Sequence, residues 1–145
     1  RGLQGAGAWV ASSVELMRLV ASIDGKPGVP DVLSAESVAQ MKNITRKGDY
    51  ALGWARYNAG SGSLVRTGSM SGTCAYIDLR EKGISFVFLT NTSHYKGATF
   101  TNSIGRMIRD AMTRVKEWPS DRDMFVEVPH QSADSILMSG VNDIS

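Results

Sequence analysis

Residues 73–79 and 84–89 are two apolar runs separated by Arg80-Glu81-Lys82-Gly83, a turn that only an antiparallel hairpin can use. A parallel connection needs a crossover of about a dozen residues or more, so this spacing fixes how one strand runs against the next. The same punctuation recurs upstream. Ala59-Gly60-Ser61-Gly62-Ser63 reads as a hairpin loop, and Leu64-Val65-Arg66-Thr67 as the strand after it. Before the loop, residues 50–55 alternate, with Tyr50, Leu52 and Trp54 on one face and Ala51, Gly53 and Ala55 on the other. A strand face of such small residues invites close approach by another element. Four antiparallel strands are therefore expected. Ile84-Ser85-Phe86-Val87-Phe88-Leu89 is almost continuously apolar and predicts a central strand buried on both faces.

Helix signals flank this region. Ser12-x-x-Glu15 is a capping box, Leu16, Leu19, Val20 and Ile23 then recur on one helical face, and Gly25 offers a left-handed end. Lys26-Pro27-Gly28-Val29-Pro30 forces a loop, after which Ser34-Ala35-Glu36 opens a shorter helix that fades near Asn43, with Val38 and Met41 on one face. A long amphipathic helix is predicted from about Thr99. Ile104, Met107, Ile108, Ala111, Met112 and Val115 form its inner face, Arg106, Arg109, Asp110 and Arg114 lie outside, and Pro119 stops it beyond Trp118. Two helices, a meander and a long C-terminal helix make an α+β fold. Residues 1–118 read as one domain. Residues 119–145 read as an extension, with an edge strand at 124–128 and a poorly ordered polar tail.

A chain of 145 residues, 42% hydrophobic and 21% charged, can bury one ordinary core. The formal net charge of +2 is spread along the chain without a basic run, which argues against a nucleic-acid surface. Cys74 is the only cysteine, so no internal disulfide forms, and with only His94 and His130 beside it no metal-ligand spacing appears. No cofactor box is visible either: Met17, Met107 and Met112 fall at core-facing helical positions, Cys74 reads as a packing residue in a strand, and Trp54 and Tyr57 as packing for the sheet. The opening at Arg1, with a Gly-rich run ahead of the first helix, gives the expectation of a piece of something longer.

The chemistry concentrates in Arg66-Thr67-Gly68-Ser69, where a strand carries a cation, a hydroxyl and a glycine. Arg66 can grip a carboxylate in bidentate fashion, Thr67 or Ser69 can donate a hydrogen bond, and Gly68 lets a substrate lie against the backbone. Composition alone favours an ordinary turn between strands, where short Gly/Ser/Thr-rich segments are common.

The order of segments adds a resemblance. Gly5-Ala6-Gly7-Ala8-Trp9-Val10-Ala11-Ser12-Ser13, Leu33-Ser34-Ala35-Glu36-Ser37, Tyr50-Ala51-Leu52-Gly53-Trp54, Arg66-Thr67-Gly68-Ser69 and Phe86-Val87-Phe88-Leu89-Thr90-Asn91 together resemble the C-terminal half of the β-lactamase-related serine hydrolases. That family takes in class C β-lactamases, penicillin-binding proteins, DD-peptidases and related esterases, and the resemblance spans residues 5–115. It implies a part of a β-lactamase/transpeptidase-like fold. Arg66-Thr67-Gly68 matches the place of the family's Lys-Thr-Gly or His-x-Gly triplet, and the resemblance makes the Ser69 backbone N–H an oxyanion-hole donor and Arg66, Thr67 and Gly68 substrate contacts. Arg66 departs from the usual Lys or His; it keeps the charge but does not readily exchange a proton, which suits orienting a substrate.

The family's Ser-x-x-Lys and Tyr-x-Asn motifs are not matched in this way. Ser93-His94-Tyr95-Lys96 has the first spelling but follows a strand and runs into Gly97, so its Lys should not stand one helical turn from its Ser. His94 reads as a solvated loop residue. The expectation is a C-terminal fragment of a serine acyl-hydrolase, inactive alone, acting on a small molecule or peptide with a carbonyl centre and completed by an N-terminal part of the same protein. The alternative is a non-catalytic ligand-binding or scaffold module; a chance resemblance by a small independent domain is a third reading. The resemblance implies a bacterial-envelope location. A fragment should also leave part of its sheet exposed, favouring dimerisation and only marginal stability.

Overall fold

The computed structural model describes residues 9–44 and 48–119. Helix α1 spans Ser13–Ala21, with the capping box formed: the Ser12 hydroxyl accepts from Glu15 N–H at 3.2 Å, and the Glu15 carboxylate accepts from Ser12 N–H at 2.7 Å. Helix α2, Ala35–Gln40, is capped by the Ser34 hydroxyl, which accepts from Ser37 N–H. Strands β1 (Arg56–Asn58), β2 (Ser63–Met70), β3 (Thr73–Arg80) and β4 (Phe86–Thr90) form one antiparallel sheet in that order, and helix α3 spans Ala98–Met112. The fold is thus α+β, a meander with helices on it.

The register assigns the two faces. Leu64 lies opposite Leu79, and Ile77 opposite Val87. These side chains meet Val20 and Met17 of α1, together with Ala51 and Trp54, in the hydrophobic core. Each fully buried Leu or Val stabilises the fold by about 1.5–3 kcal/mol. The alternate residues Val65, Tyr76 and Asp78 lie on the other face, which α3 covers.

Several expectations are corrected. Residues 50–55 do not form a strand. Ala51 and Trp54 exchange backbone hydrogen bonds of 3.2 Å across a turn in which Gly53 has φ +78°, so both point into the core while Leu52 is exposed. Gly53, read as a small strand residue, is where the chain reverses. The strand before the loop starts later, at Arg56. The strand carrying Arg66 and Thr67 is also longer, running through Met70 to a turn at Ser71-Gly72 where Gly72 takes φ +79°. Residues 84–89 do not form a central strand: among the described residues β4 is the last strand of the sheet, and each of its residues is only half-buried. Its apolar run serves one sheet neighbour and the packing of α1.

The face of α3 is rotated from its expected position. Thr101 and Gly105 are its buried residues, Arg109 follows one turn later toward the sheet, and Met107 is 65% exposed. The sheet dictates this: Gly105 accommodates the Tyr76 ring and Arg109 answers a buried carboxylate at Asp78. The helix ends at Met112, ahead of Pro119. In α1, Leu19 is exposed and Val20 carries the burial. The expected edge strand at 124–128, the polar tail, His130 and the Gly-rich opening lie outside the described residues.

Candidate functional site

An antiparallel ladder alternates residues that bond to one neighbour with residues turned the other way. Glu81 N–H donates to Gly62 O at 3.0 Å, which directs residues 62, 64, 66, 68 and 70 toward β3. Val65 O accepts from Ala55 N–H at 2.9 Å, confirming that the odd-numbered residues turn toward β1. Strand β1 pairs no further along β2 than Val65. Thr67 and Ser69 therefore present their backbone N–H and C=O groups along an edge that no other strand of the described residues occupies.

The four residues singled out from sequence divide between the sheet's faces. Arg66 and Gly68 project on the side of Leu64 and Ile77, whereas Thr67 and Ser69 project on the side of Tyr76. Arg66 is exposed, and its guanidinium donates to the Tyr50 hydroxyl at 3.0 Å. Thr67 is half-buried, Gly68 and Ser69 are exposed, and a Cβ added at Gly68 would meet the Ala75 Cβ at 3.4 Å. What Arg66, Thr67 and Ser69 share is the open edge, reached by the backbone of Thr67 and Ser69 and by the side chain of Arg66, while the Gly68 backbone bonds to β3.

At the end of β2 the fold adds residues that sequence order alone did not join to the strand. The Ser93 hydroxyl accepts from Gly72 N–H at 2.8 Å. This draws the loop after β4 against the β2–β3 turn and leaves a recess of about 380 Å³ lined by Ser69, Ser71, Ser93, His94 and Tyr95. His94 is not a freely solvated side chain: it is half-buried, stacked on Phe100 at 5.2 Å, and its Nδ1 accepts from Lys96 N–H at 3.2 Å. A neutral ring bonded in this way carries its proton on Nε2. Lys96 stands in a turn ahead of α3, so Ser93 and Lys96 do not occupy successive turns of one helix. A serine two strands away from a histidine-bearing loop gives no local signal that joins Ser69 to His94.

The sequence also left unread a polar cluster under α3. Asp78 is fully buried; it accepts from the Ser63 hydroxyl at 2.6 Å and from Arg109 at 3.0 Å, with Arg80 at 3.5 Å. Arg109 donates as well to the Tyr76 hydroxyl at 2.7 Å. Burial alone would lower the Arg109 pKa, but its hydrogen bonds to Asp78 and Tyr76, with their charges, outweigh that and hold it above the ordinary value. The cluster thus fixes α3 on the sheet with a permanent cation.

Among the described residues, no group of three or more His, Cys, Asp or Glu side chains is arranged to hold a metal ion. No protein-family model, curated protein or solved structure matches the chain.

Proposed function

We propose that the Arg66–Ser69 edge is one wall of a serine acyl-hydrolase site of the β-lactamase-related kind, completed by a preceding part of the same protein. The observation that carries this reading is the direction of the Ser69 N–H, which faces away from β3 on an edge open to a substrate. A serine alkoxide adding to a carbonyl carbon moves the carbonyl electron pair onto oxygen, and a fixed N–H aimed at that oxygen stabilises the charge as it develops. One such donor is worth roughly 10²–10³ in kcat. The outward C=O of Thr67 can accept from a peptide-like N–H in the same substrate, as an added strand would donate.

Arg66 supplies a permanent charge beside this edge, suited to a substrate carboxylate, while its Tyr50 partner holds the guanidinium in place. It does not take up the proton that the nucleophile loses, so both the base and the nucleophile belong to the completing part. The 145-residue chain alone is then inactive. The reading carries with it a bacterial-envelope location; no helix of the described residues is long and apolar enough to cross a membrane.

Treatment of this chain and of the longer gene product with a fluorescent penicillin and a fluorophosphonate, read by intact mass, tests the reading. A single adduct only on the longer protein, outside the segment described here, is expected. No adduct on either protein would move the conclusion to a non-catalytic ligand-binding module, which Arg66 in place of a proton-exchanging Lys or His favours. An adduct on Ser93 of this chain would overturn the division of labour.

A further inference from the structure

A second cavity lies at the opposite end of β2 from Ser69, between the sheet and α3. It holds about 340 Å³ and is lined by Arg56, Arg80, Arg106 and Arg109, with Asn58 and Asn102 among the uncharged groups. We propose that it is a binding site for a small phosphate monoester, separate from the acyl-transfer edge.

The argument starts from charge. Four guanidinium groups line one recess, and the acidic group bonded to them is Asp78. That carboxylate is buried and already engaged by Ser63, Arg80 and Arg109, so it orients two of the cations rather than cancelling all four. Arg56 and Arg106 have no acidic partner among the described residues; Arg106 donates only to the Ser103 hydroxyl, at 3.2 Å. Like charges gathered without counter-charge repel one another, and an anion seated among them removes that cost.

Geometry selects the anion. A planar carboxylate presents two oxygens and is satisfied by one bidentate guanidinium. A phosphate monoester presents three terminal oxygens and up to two negative charges, and it is best held by cations converging from several directions. The cations here come from β1, from the end of β3 and from two successive turns of α3. The volume is at the lower end of small-molecule pockets, which run from about 300 to 1,000 Å³, and leaves room for more than a bare phosphate. Asn58 and Asn102, each with donor and acceptor atoms, suit the hydroxyl groups of a sugar-like remainder.

Isothermal titration of the 145-residue chain with ribose 5-phosphate, inorganic phosphate and sulfate tests this. Ribose 5-phosphate should bind most tightly, with a dissociation constant below about 1 mM that weakens as salt is raised. The double variant R56Q/R106Q removes the two cations that Asp78 does not engage, and binding should fall at least about tenfold while the circular dichroism spectrum is unchanged. R114Q, in the exposed segment after α3, should bind like the wild type. Equal affinity for sulfate and ribose 5-phosphate, or unaltered binding by R56Q/R106Q, would overturn the proposal, as would no heat of binding for ribose 5-phosphate at that concentration. None of these readouts depends on acyl transfer.

Discussion

Gly105 of α3 lies directly over the ring of Tyr76, so close that a Cβ on the glycine would overlap the aromatic carbons. Helix propensity alone says that Gly105→Ala should stabilise the protein by about 1 kcal/mol. Forcing a methyl against a fully buried ring costs about 1–3 kcal/mol, and the ring has nowhere to go. A net loss of stability of up to about 2 kcal/mol is therefore expected by urea denaturation; a gain would mean that α3 does not dock through this contact.

Arg109→Met should cost more, about 3 kcal/mol, because it leaves the Asp78 carboxylate buried without its closest cation. Adding Asp78→Asn to that variant should restore part of the loss, since the stranded charge disappears. Because pairing raises the Arg109 pKa, its contribution is complete below the unfolded guanidinium's titration and fades only as pH rises through the folded value. The stability difference between the wild type and Arg109→Met should accordingly stay level as pH is raised from neutral into the mildly alkaline range.

Proline separates the two kinds of backbone position on β2. At Ser69 the N–H faces the open edge, so Ser69→Pro should fold with near-normal stability, whereas Gly68→Pro removes a ladder donor to β3 and should be far more damaging. In the longer protein, Ser69→Pro should lower the rate of penicillin acylation about 10²–10³-fold at intact stability. Acylation at the wild-type rate would remove Ser69 from the site.

The capping residues, the hairpin spacing and the long final helix were legible because each depends on neighbours within a few positions. Ser12 and Glu15 needed only each other. What was not legible required two distant segments at once. The inner face of α3 reads as Ile104, Met107 and Ala111 until Tyr76 and Asp78 are known to lie beneath it; then Gly105 and Arg109 are the residues that fit. Alternation made residues 50–55 look like a strand, because a periodic pattern carries no mark of the Gly53 reversal. At the candidate site the residues were found but not their division between faces, since the ladder's direction follows from pairing with β3 and not from the triplet.

Among the described residues strand β4 ends the sheet, and its Val87 and Leu89 turn their backbone groups away from β3. An open apolar edge is a template for pairing with a second copy of the chain. Sedimentation equilibrium should show a mass that rises with concentration, and Leu89→Lys should reduce it. A strictly monomeric chain at every concentration would contradict this.

Cys74, the only thiol of the chain, is 2% exposed on the face of the sheet that α3 covers, in register with Ser69 on one side and Thr90 on the other. An alkylating reagent cannot reach its sulfur until strand and helix part, so the rate of modification counts how often this face opens in otherwise native conditions. The packing residue doubles as a chemical clock for the protein's breathing, and slower labelling in the presence of ribose 5-phosphate would report how firmly a ligand between sheet and helix holds that face shut.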